Sequence, residues 1–482
     1  MTKQPNIVRT RIAPSPTGFP HIGTIYQVLF DYAFAKKHGG KFVCRIEDTD
    51  RARLVEGSEQ VIYESLEWFG LNPDESPVKG GPYAPYRQSE RLDTYKKYAE
   101  DLIKKGHAYY CFCTKERLGQ LRAEQTKKKI PPMYDKHCVA LSKELVEKNL
   151  KEHMPYVIRL NVPRDRKITF TDVIVGKIEF DSSVVDDQVL IKSDGFPTYH
   201  LAVVVDDHLM EISHIFRGRE WISSTPKHVL LYEFFGWEMP VHGHFPLLLN
   251  ADGKGKLSKR HGHASVNFYK EQGFLPDAIL NFLSNIVWAH PEGKELYDLD
   301  EFIKLVDITK INSQGARFDL TKLEWMNGEY LRKLSVQNLL VKIKEYLKEF
   351  ESKRHPELVS GSASEVLIEK TLPLVQTRIK KLSEYWPMCE FFFKRPTEYE
   401  KEINKEWMNK IVERLSLLSR WTHDAMYREL AELAQSFGSS KSKFFMDIRI
   451  AVTGKKVGPP LFESMEVLGK EESIERLKSA SN

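Results

Sequence analysis

The chain has 482 residues, more than one compact core needs, so about two to four domains are expected. A hydrophobic share of 41% beside 29% charged residues places it among soluble globular proteins, and no run of ~18 apolar residues could span a membrane. A net charge of +5 is compatible with a polyanionic partner without demanding one, and five cysteines are too few and too odd for a disulfide framework, which points to a reducing cytosol.

The N-terminus carries no apolar signal core. Ile7 to Ile12 alternates apolar and polar residues and reads as a strand. The turn Arg11-Ile-Ala-Pro-Ser-Pro-Thr-Gly-Phe-Pro-His21-Ile-Gly-Thr24 follows, and Ile25, Leu29, Phe30, Ala33 and Phe34 then recur at helical spacing. Three prolines stiffen the turn, and Gly23 lets a ligand approach the backbone. A helix entrance with open N–H groups suits a phosphate, and His21 can donate a hydrogen bond to an anionic oxygen there. Lys41 to Ile46 is a second strand, ending in Glu47-Asp-Thr-Asp50. Strand-helix-strand at this spacing predicts a parallel pair with a ligand crevice beyond the strand ends. Arg11 and Glu47 would share that crevice, one for a carboxylate and one for an ammonium.

Helices are predicted over Ser58–Phe69 and Leu92–Lys105. From Ala108-Tyr-Tyr-Cys-Phe-Cys113 to about Tyr199 short β-rich runs read as an insertion interrupting the parallel sheet. Thr198 to Asp207 resumes the sheet or forms a helix, which periodicity leaves open for so short an apolar run. Ile212 to Arg217 reads as a strand, and Ser224, Thr225 and Pro226 open a helix running to Phe235. A glycine-punctuated basic loop, Asn250 to Gly262, contains Lys256-Leu-Ser-Lys259-Arg. Two lysines flanking Ser258 can neutralise a triphosphate and stabilise the leaving pyrophosphate. Beyond Phe268 helical patterns dominate, interrupted by a Ser- and Gly-containing stretch at 352–364 that reads as an exposed loop. The pairs His242/His244 and His261/His263 read as loop residues.

The pairing of His21-Ile-Gly-Thr24 with Lys256-Leu-Ser-Lys259 resembles the two signatures of class I aminoacyl-tRNA synthetases. Arg11-Ile-Ala-Pro-Ser-Pro-Thr-Gly, Arg45-Ile-Glu-Asp-Thr-Asp, Tyr86-Arg-Gln-Ser-Glu-Arg91, Lys192-Ser-Asp-Gly-Phe-Pro-Thr-Tyr-His200, Val205-Asp-Asp-His208 and Leu323-Glu-Trp-Met-Asn-Gly resemble bacterial-type glutamyl-tRNA synthetases. The resemblance covers nearly the whole chain outside 352–364. It implies an α/β fold: a Rossmann-like parallel-sheet catalytic domain at 1–107 and 200–250, split by a tRNA acceptor-end domain at 108–199. A connecting domain at 251–334 and an α-helical anticodon-binding region at 335–482 would follow.

The resemblance implies a glutamate pocket of Arg11, Ala13, Ser15, Glu47, Tyr199 and Arg217. It implies an ATP site of His21, Gly23, Thr24, Lys256, Ser258 and Lys259, with His21, Lys256 and Lys259 catalytic. The expected reaction forms glutamyl-adenylate from L-glutamate and ATP with Mg2+, needs bound tRNA, and transfers glutamate to the terminal adenosine of tRNA-Glu. Gln376 and Arg378 are the candidate anticodon contacts, and Gln376 suggests relaxed charging of tRNA-Gln as well. Lys127–Lys129, Arg378, Lys380, Lys381, Lys455 and Lys456 are candidate phosphate contacts. Cys111, Cys113 and Cys138 match three ligands of a zinc site found in some members, but Ala140 stands at the fourth, so a vestigial site without zinc is expected. Val203 and Arg219 depart from the residues common near the pocket. The expected protein is a cytoplasmic monomer with no membrane partner. A nucleotidyltransferase or a short tRNA-base glutamyl transferase would not need the chain beyond residue 330. A non-enzymatic tRNA-binding relative should have lost His21, Lys256 or Lys259.

Overall fold

The computed structural model describes residues 7–18, 20–257, 264–352 and 362–481. Two compact units emerge, one of residues 1–266 with 280–319, the other of 267–279 with 320–482. In the first, strand Arg9–Ile12 leads through helix Ile22–Lys37 to strand Lys41–Cys44. The two strands pair in parallel, Arg9 against Lys41 and Ile12 against Cys44. The helix ends as its sequence dictates, with Lys36 and Lys37 in the last turn and Gly39 at a φ of +62° just beyond.

A second parallel pair joins His214–Gly218 to Val241–Phe245. The Ser213 N–H donates to the Arg9 carbonyl at 3.0 Å, which ties the N-terminal strand to the start of this pair. The interrupting segment contributes a three-stranded antiparallel sheet of Ala108–Cys111, Val157–Leu160 and Val189–Ile191. It also contributes a hairpin, Lys167–Asp172 with Gly176–Asp181. One end of that hairpin joins the parallel sheet, Asp172 pairing with His242.

Tyr199–Leu209 is a helix, which resolves the ambiguity of that apolar run. Its valines are buried, but the adjacent Asp206 and Asp207 decide the matter. Both carboxylates must turn inward to arginines, and successive residues of a strand would point to opposite faces. On the helix Asp206 meets Arg91 at 2.8 Å while Asp207 meets Arg45 at 2.8 Å.

The second unit is helical, with no strand among its described residues. One apolar cluster gathers Leu339, Ile343, Leu372 and Tyr385, another Met408, Leu430, Phe444 and Leu461. Ser335, Asn404, Thr422 and Ser440 cap four of its helices, each side chain accepting from a backbone N–H three residues on. Among the described residues no helix is long and apolar enough to cross a membrane.

Candidate active site

A cleft of about 620 Å³ opens beyond the carboxyl ends of the first two strands and of His214–Gly218. Arg11, Ala13 is joined there by Ser15, His21, Thr24, Glu47, Tyr199 and Arg217, so eight of the predicted pocket residues meet in one place. His21 is the N-cap of helix Ile22–Lys37, and its Nδ1 accepts from the Gly23 N–H at 2.9 Å. Accepting there leaves the ring proton on Nε2, where it serves as a donor. Gly23 does not line the cleft; it holds His21.

The basic loop is held to strand Leu248–Leu249 on its near side and to this turn on its far side. On its near side Leu257 N–H donates to Leu248 O at 2.8 Å. On its far side Ile22 N–H donates to Ala264 O at 2.8 Å and Val266 N–H to Pro20 O at 3.2 Å. Lys256 pairs with Glu220 at 2.6 Å at an exposed position and does not line the cleft. Ser258 and Lys259, with His261 and His263, lie outside the described residues.

Buried arginines surround the amino-acid side of the cleft. Arg11 pairs with Asp207 at 3.2 Å, and Arg45 with Asp207 at 2.8 Å and Glu47 at 3.2 Å. Burial pushes the Glu47 carboxyl up to about 7, against the pull of Arg45 and Arg11. Arg217 is different. It is buried, and its hydrogen-bond partners among the described residues are uncharged: His244 Nε2 at 3.0 Å, Thr225 Oγ1 at 2.8 Å, Tyr199 OH at 3.1 Å and His228 Nδ1 at 3.3 Å. Among the described residues no carboxylate pairs with it. A desolvated guanidinium without an acidic partner is costly unless an anion completes it. Its planar fork suits a carboxylate.

Residues 7–325 match the model of the class I tRNA synthetase (E and Q) catalytic domain, and residues 338–481 match an anticodon binding domain. A glutamate–tRNA ligase of Acidothermus cellulolyticus is 45% identical over 98% of this chain and 95% of its own. One from Treponema denticola is 42% identical over 98% of this chain and 99% of its own. The chain belongs to the glutamate–tRNA ligase family of class I synthetases. A crystal structure of an Elizabethkingia meningosepticum glutamate tRNA ligase in complex with its amino acid superposes with a TM-score of 0.88 at 38% identity, covering 98% of this chain and 99% of that one.

Several features of this family member were not singled out from sequence. Lys192 lines the cleft and donates to Thr49 O at 3.1 Å; the motif beginning at Lys192 is the signal for it. Trp221 also lines the cleft, its ring 4.7 Å from that of Tyr199. His242 and His244 are not loop residues, as expected from their spacing, but buried members of strand Val241–Phe245. Val203 lies in the apolar core beneath the cleft rather than in its lining, and Arg219 donates to Ser313 O at 2.8 Å away from it.

The sulfurs of Cys111, Cys113 and Cys138 lie within 4.8 Å of one another. Ala140 offers no fourth donor, and the Tyr134 hydroxyl is hydrogen bonded to the sulfurs, 3.3 Å from Cys111 Sγ and 3.2 Å from Cys113 Sγ. Hydrogen bonding to Cys138 pulls the Cys111 thiol down against its burial. Among the described residues this cluster offers a cation three sulfurs, one ligand short of a closed tetrahedral set.

In the helical unit Gln376 does not offer its amide to a ligand. Its Nε2 donates to Leu331 O at 3.0 Å and Leu334 O at 2.8 Å, satisfying carbonyls at the end of helix Leu320–Lys333. Arg378 is exposed. Burial, helped by the nearby Arg378 charge and opposed by Glu463, holds the Arg449 guanidinium below its usual range. Lys381 pairs with Glu324 at 2.7 Å and Lys455 donates to Pro387 O at 2.8 Å, whereas Lys127–Lys129, Lys380 and Lys456 are exposed.

Proposed function

We propose that this chain activates L-glutamate with ATP and Mg2+ and transfers it to the terminal adenosine of tRNA-Glu. The observation that carries the reading is Arg217, a buried cation with neutral partners in a cleft shared with Arg11, Glu47 and His21. A dicarboxylic amino acid needs cations for two carboxylates and an anion for its ammonium, and Arg11, Arg217 and Glu47 supply them. Ala13, Ser15 and Tyr199 complete the pocket. The α-carboxylate attacks the α-phosphorus in line, pyrophosphate leaves, and a ribose hydroxyl of the tRNA then attacks the adenylate carbonyl. No protein nucleophile is needed; positioning and charge stabilisation carry both steps. His21 Nε2–H and Thr24 receive the nucleotide phosphates, Gly23 holds His21, and Lys256, Ser258 and Lys259 are assigned to the pyrophosphate.

The segment 108–199 is assigned to the acceptor end, 251–334 to the connecting domain and 335–482 to the anticodon. Relaxed charging of tRNA-Gln rested on Gln376, whose amide is occupied internally. We therefore assign the anticodon contact to Arg378 and the cognate substrate to tRNA-Glu. The expectation of a vestigial site without zinc rests on Ala140 at the fourth position, and one zinc per chain by elemental analysis would reverse it. The five cysteines are free, in keeping with a cytoplasmic protein, and a monomer accounts for every residue placed in the site.

Aminoacylation with labelled glutamate tests the function. Charged tRNA-Glu, little charged tRNA-Gln and loss of adenylate formation in Lys259→Ala with glutamate affinity kept are expected. Absence of product with tRNA-Glu would overturn the reading.

A further inference from the structure

Among the described residues no acid pairs with Arg217, so something else must hold its plane. Its Nε–H donates to His244 Nε2 at 3.0 Å. The other ring nitrogen, His244 Nδ1, is 2.6 Å from Asp172 Oδ2, with both side chains fully buried. A carboxylate only accepts, so the ring proton sits on Nδ1 and Nε2 is the acceptor that Arg217 requires. Asp172 is itself fixed by the N–H groups of Ile174 and Val175, both at 2.9 Å, and of His244 at 3.0 Å. A second imidazole repeats the logic on the other edge. Arg217 Nη1 faces His228 Nδ1, and His228 Nε2 faces His200 Nδ1 at 3.1 Å. Burial keeps both rings neutral, driving His200 down to about 3 and His228 well below its usual range. Acceptors of this kind orient a guanidinium without neutralising it.

We propose that Asp172 and His244 are positioning residues for the glutamate side chain: Asp172 locks His244 in the tautomer that aims Arg217 at the substrate carboxylate. The inference rests on the reading of Arg217 as a glutamate ligand. Asp172 belongs to the hairpin Lys167–Asp181 of the interrupting segment, so that segment reaches the amino-acid pocket through one histidine. The charge of Asp172 stays one ring away from Arg217. A carboxylate in direct contact would compete with the substrate; a neutral imidazole between them transmits orientation and leaves the cation available.

The test uses the full-length chain with tRNA-Glu. In Asp172→Asn an amide N–H facing His244 reverses the tautomer and sets two donors against each other at Arg217. A rise in the KM for glutamate of ~10- to 100-fold, the loss of one charge-assisted hydrogen bond, is expected with the KM for ATP unchanged. His244→Gln places an amide oxygen near the position of Nε2 and should retain much of the glutamate affinity. His244→Asn keeps a partner for Asp172, removes the acceptor for Arg217, and should behave like Asp172→Asn. Thermal melts accompany each variant, and His244→Gln remains informative if Asp172→Asn fails to fold. Equal glutamate KM values for His244→Gln and His244→Asn, or parallel changes in both substrates' KM, would overturn the proposal. Arg217→Lys separates the two readings. An unchanged glutamate KM there refutes the pocket assignment itself, whereas a large rise there with none in Asp172→Asn refutes only the positioning role.

Discussion

Gly23→Ala separates catalysis from stability at the turn. A Cβ on Gly23 would stand 2.9 Å from His21 Nδ1, closer than carbon and nitrogen tolerate, and the movable atom is the imidazole. Swinging it away breaks the N-cap bond from Gly23 N–H, which costs about 1 kcal/mol. Alanine regains up to about 1 kcal/mol over glycine in a helix. The two nearly cancel, so the melting temperature should move by no more than about 4 °C. Catalysis has no such compensation. A displacement of about 1 Å at a group that must meet the α-phosphate costs about 10²-fold in rate. Pyrophosphate exchange in the presence of tRNA, run beside a thermal melt, reads both quantities. The double variant His21→Ala/Gly23→Ala should be no slower than His21→Ala alone, because Gly23 acts through that ring. An exchange rate in Gly23→Ala close to that of the parent chain would refute the reasoning. So would additive losses in the double variant.

Glu47 gives a pH dependence. Burial raises it to about 7, and an ammonium ligand requires the ionised form, so the glutamate KM should fall about tenfold per pH unit as pH rises towards 7 and then level; a flat KM across that range would remove Glu47 from the pocket. In the helical unit, Gln376→Ala should cost stability of about 1–2 kcal/mol and leave tRNA affinity intact, while Arg378→Ala should weaken tRNA binding and leave the melt unchanged. The reverse pattern in a filter-binding assay would return the anticodon contact to Gln376. Acid stability follows from four histidines whose folded values lie below 6.5: the half-buried His200 at about 3 and His214 at about 4, and the buried His228 and His242 well below. The unfolded chain takes up those protons first, so stability falls as pH drops from 6.5 towards 4. Glu47 and Asp31, both raised by burial, bind protons in the folded state and oppose the trend. A net uptake of about two protons corresponds to ~3 kcal/mol per pH unit, read as a shift of the urea midpoint. A constant midpoint over that window would show that these rings are not buried neutral.

The parts of the site legible in sequence were those with a local signature. The turn from Arg11 to Thr24 announced itself by prolines, glycine and a strand-to-helix change, whereas Lys256, singled out with its lysine-rich loop, stands outside the cleft lining. What sequence missed are side chains whose meaning comes from a distant partner. His242 and His244 carry no periodicity that separates a loop from a buried strand; Asp172, 72 residues away, makes the distinction for His244. Tyr134 looked like one aromatic among many until its hydroxyl stood against two sulfurs. Gln376 has an amide suited to a base or to a carbonyl, and only the position of Leu331 and Leu334 chooses between them. The helix Tyr199–Leu209 was undecidable for a related reason. Its valines favour a strand by propensity, and the inward pull of Arg91, Arg45 and Arg11 on two successive aspartates overrides them.

The distribution of charge explains why one cleft can recognise an acid without collapsing around its own salt bridges. Arg11 and Arg45 share Asp207, and Arg45 also meets Glu47. Those pairs hold the strand ends and set Glu47 where an ammonium can reach it. If Arg217 were paired in the same way, a substrate carboxylate would have to displace an internal one of equal charge, and the exchange would yield little affinity. Thr225, Tyr199, His228 and His244 instead satisfy its donors with neutral oxygens and nitrogens. The cation is therefore positioned in advance but left unneutralised, and an incoming carboxylate gains its full attraction in a site screened from water. Glutamine, isosteric but uncharged, gains only a neutral hydrogen bond there. If Arg217 is the cation that takes the side-chain carboxylate, discrimination between the two amino acids depends on the absence of an acid beside it, and Thr225→Asp, which introduces one at its Nη2, should abolish glutamate activation while leaving ATP binding intact. Retained glutamate activation in that variant would mean that the carboxylate is read elsewhere.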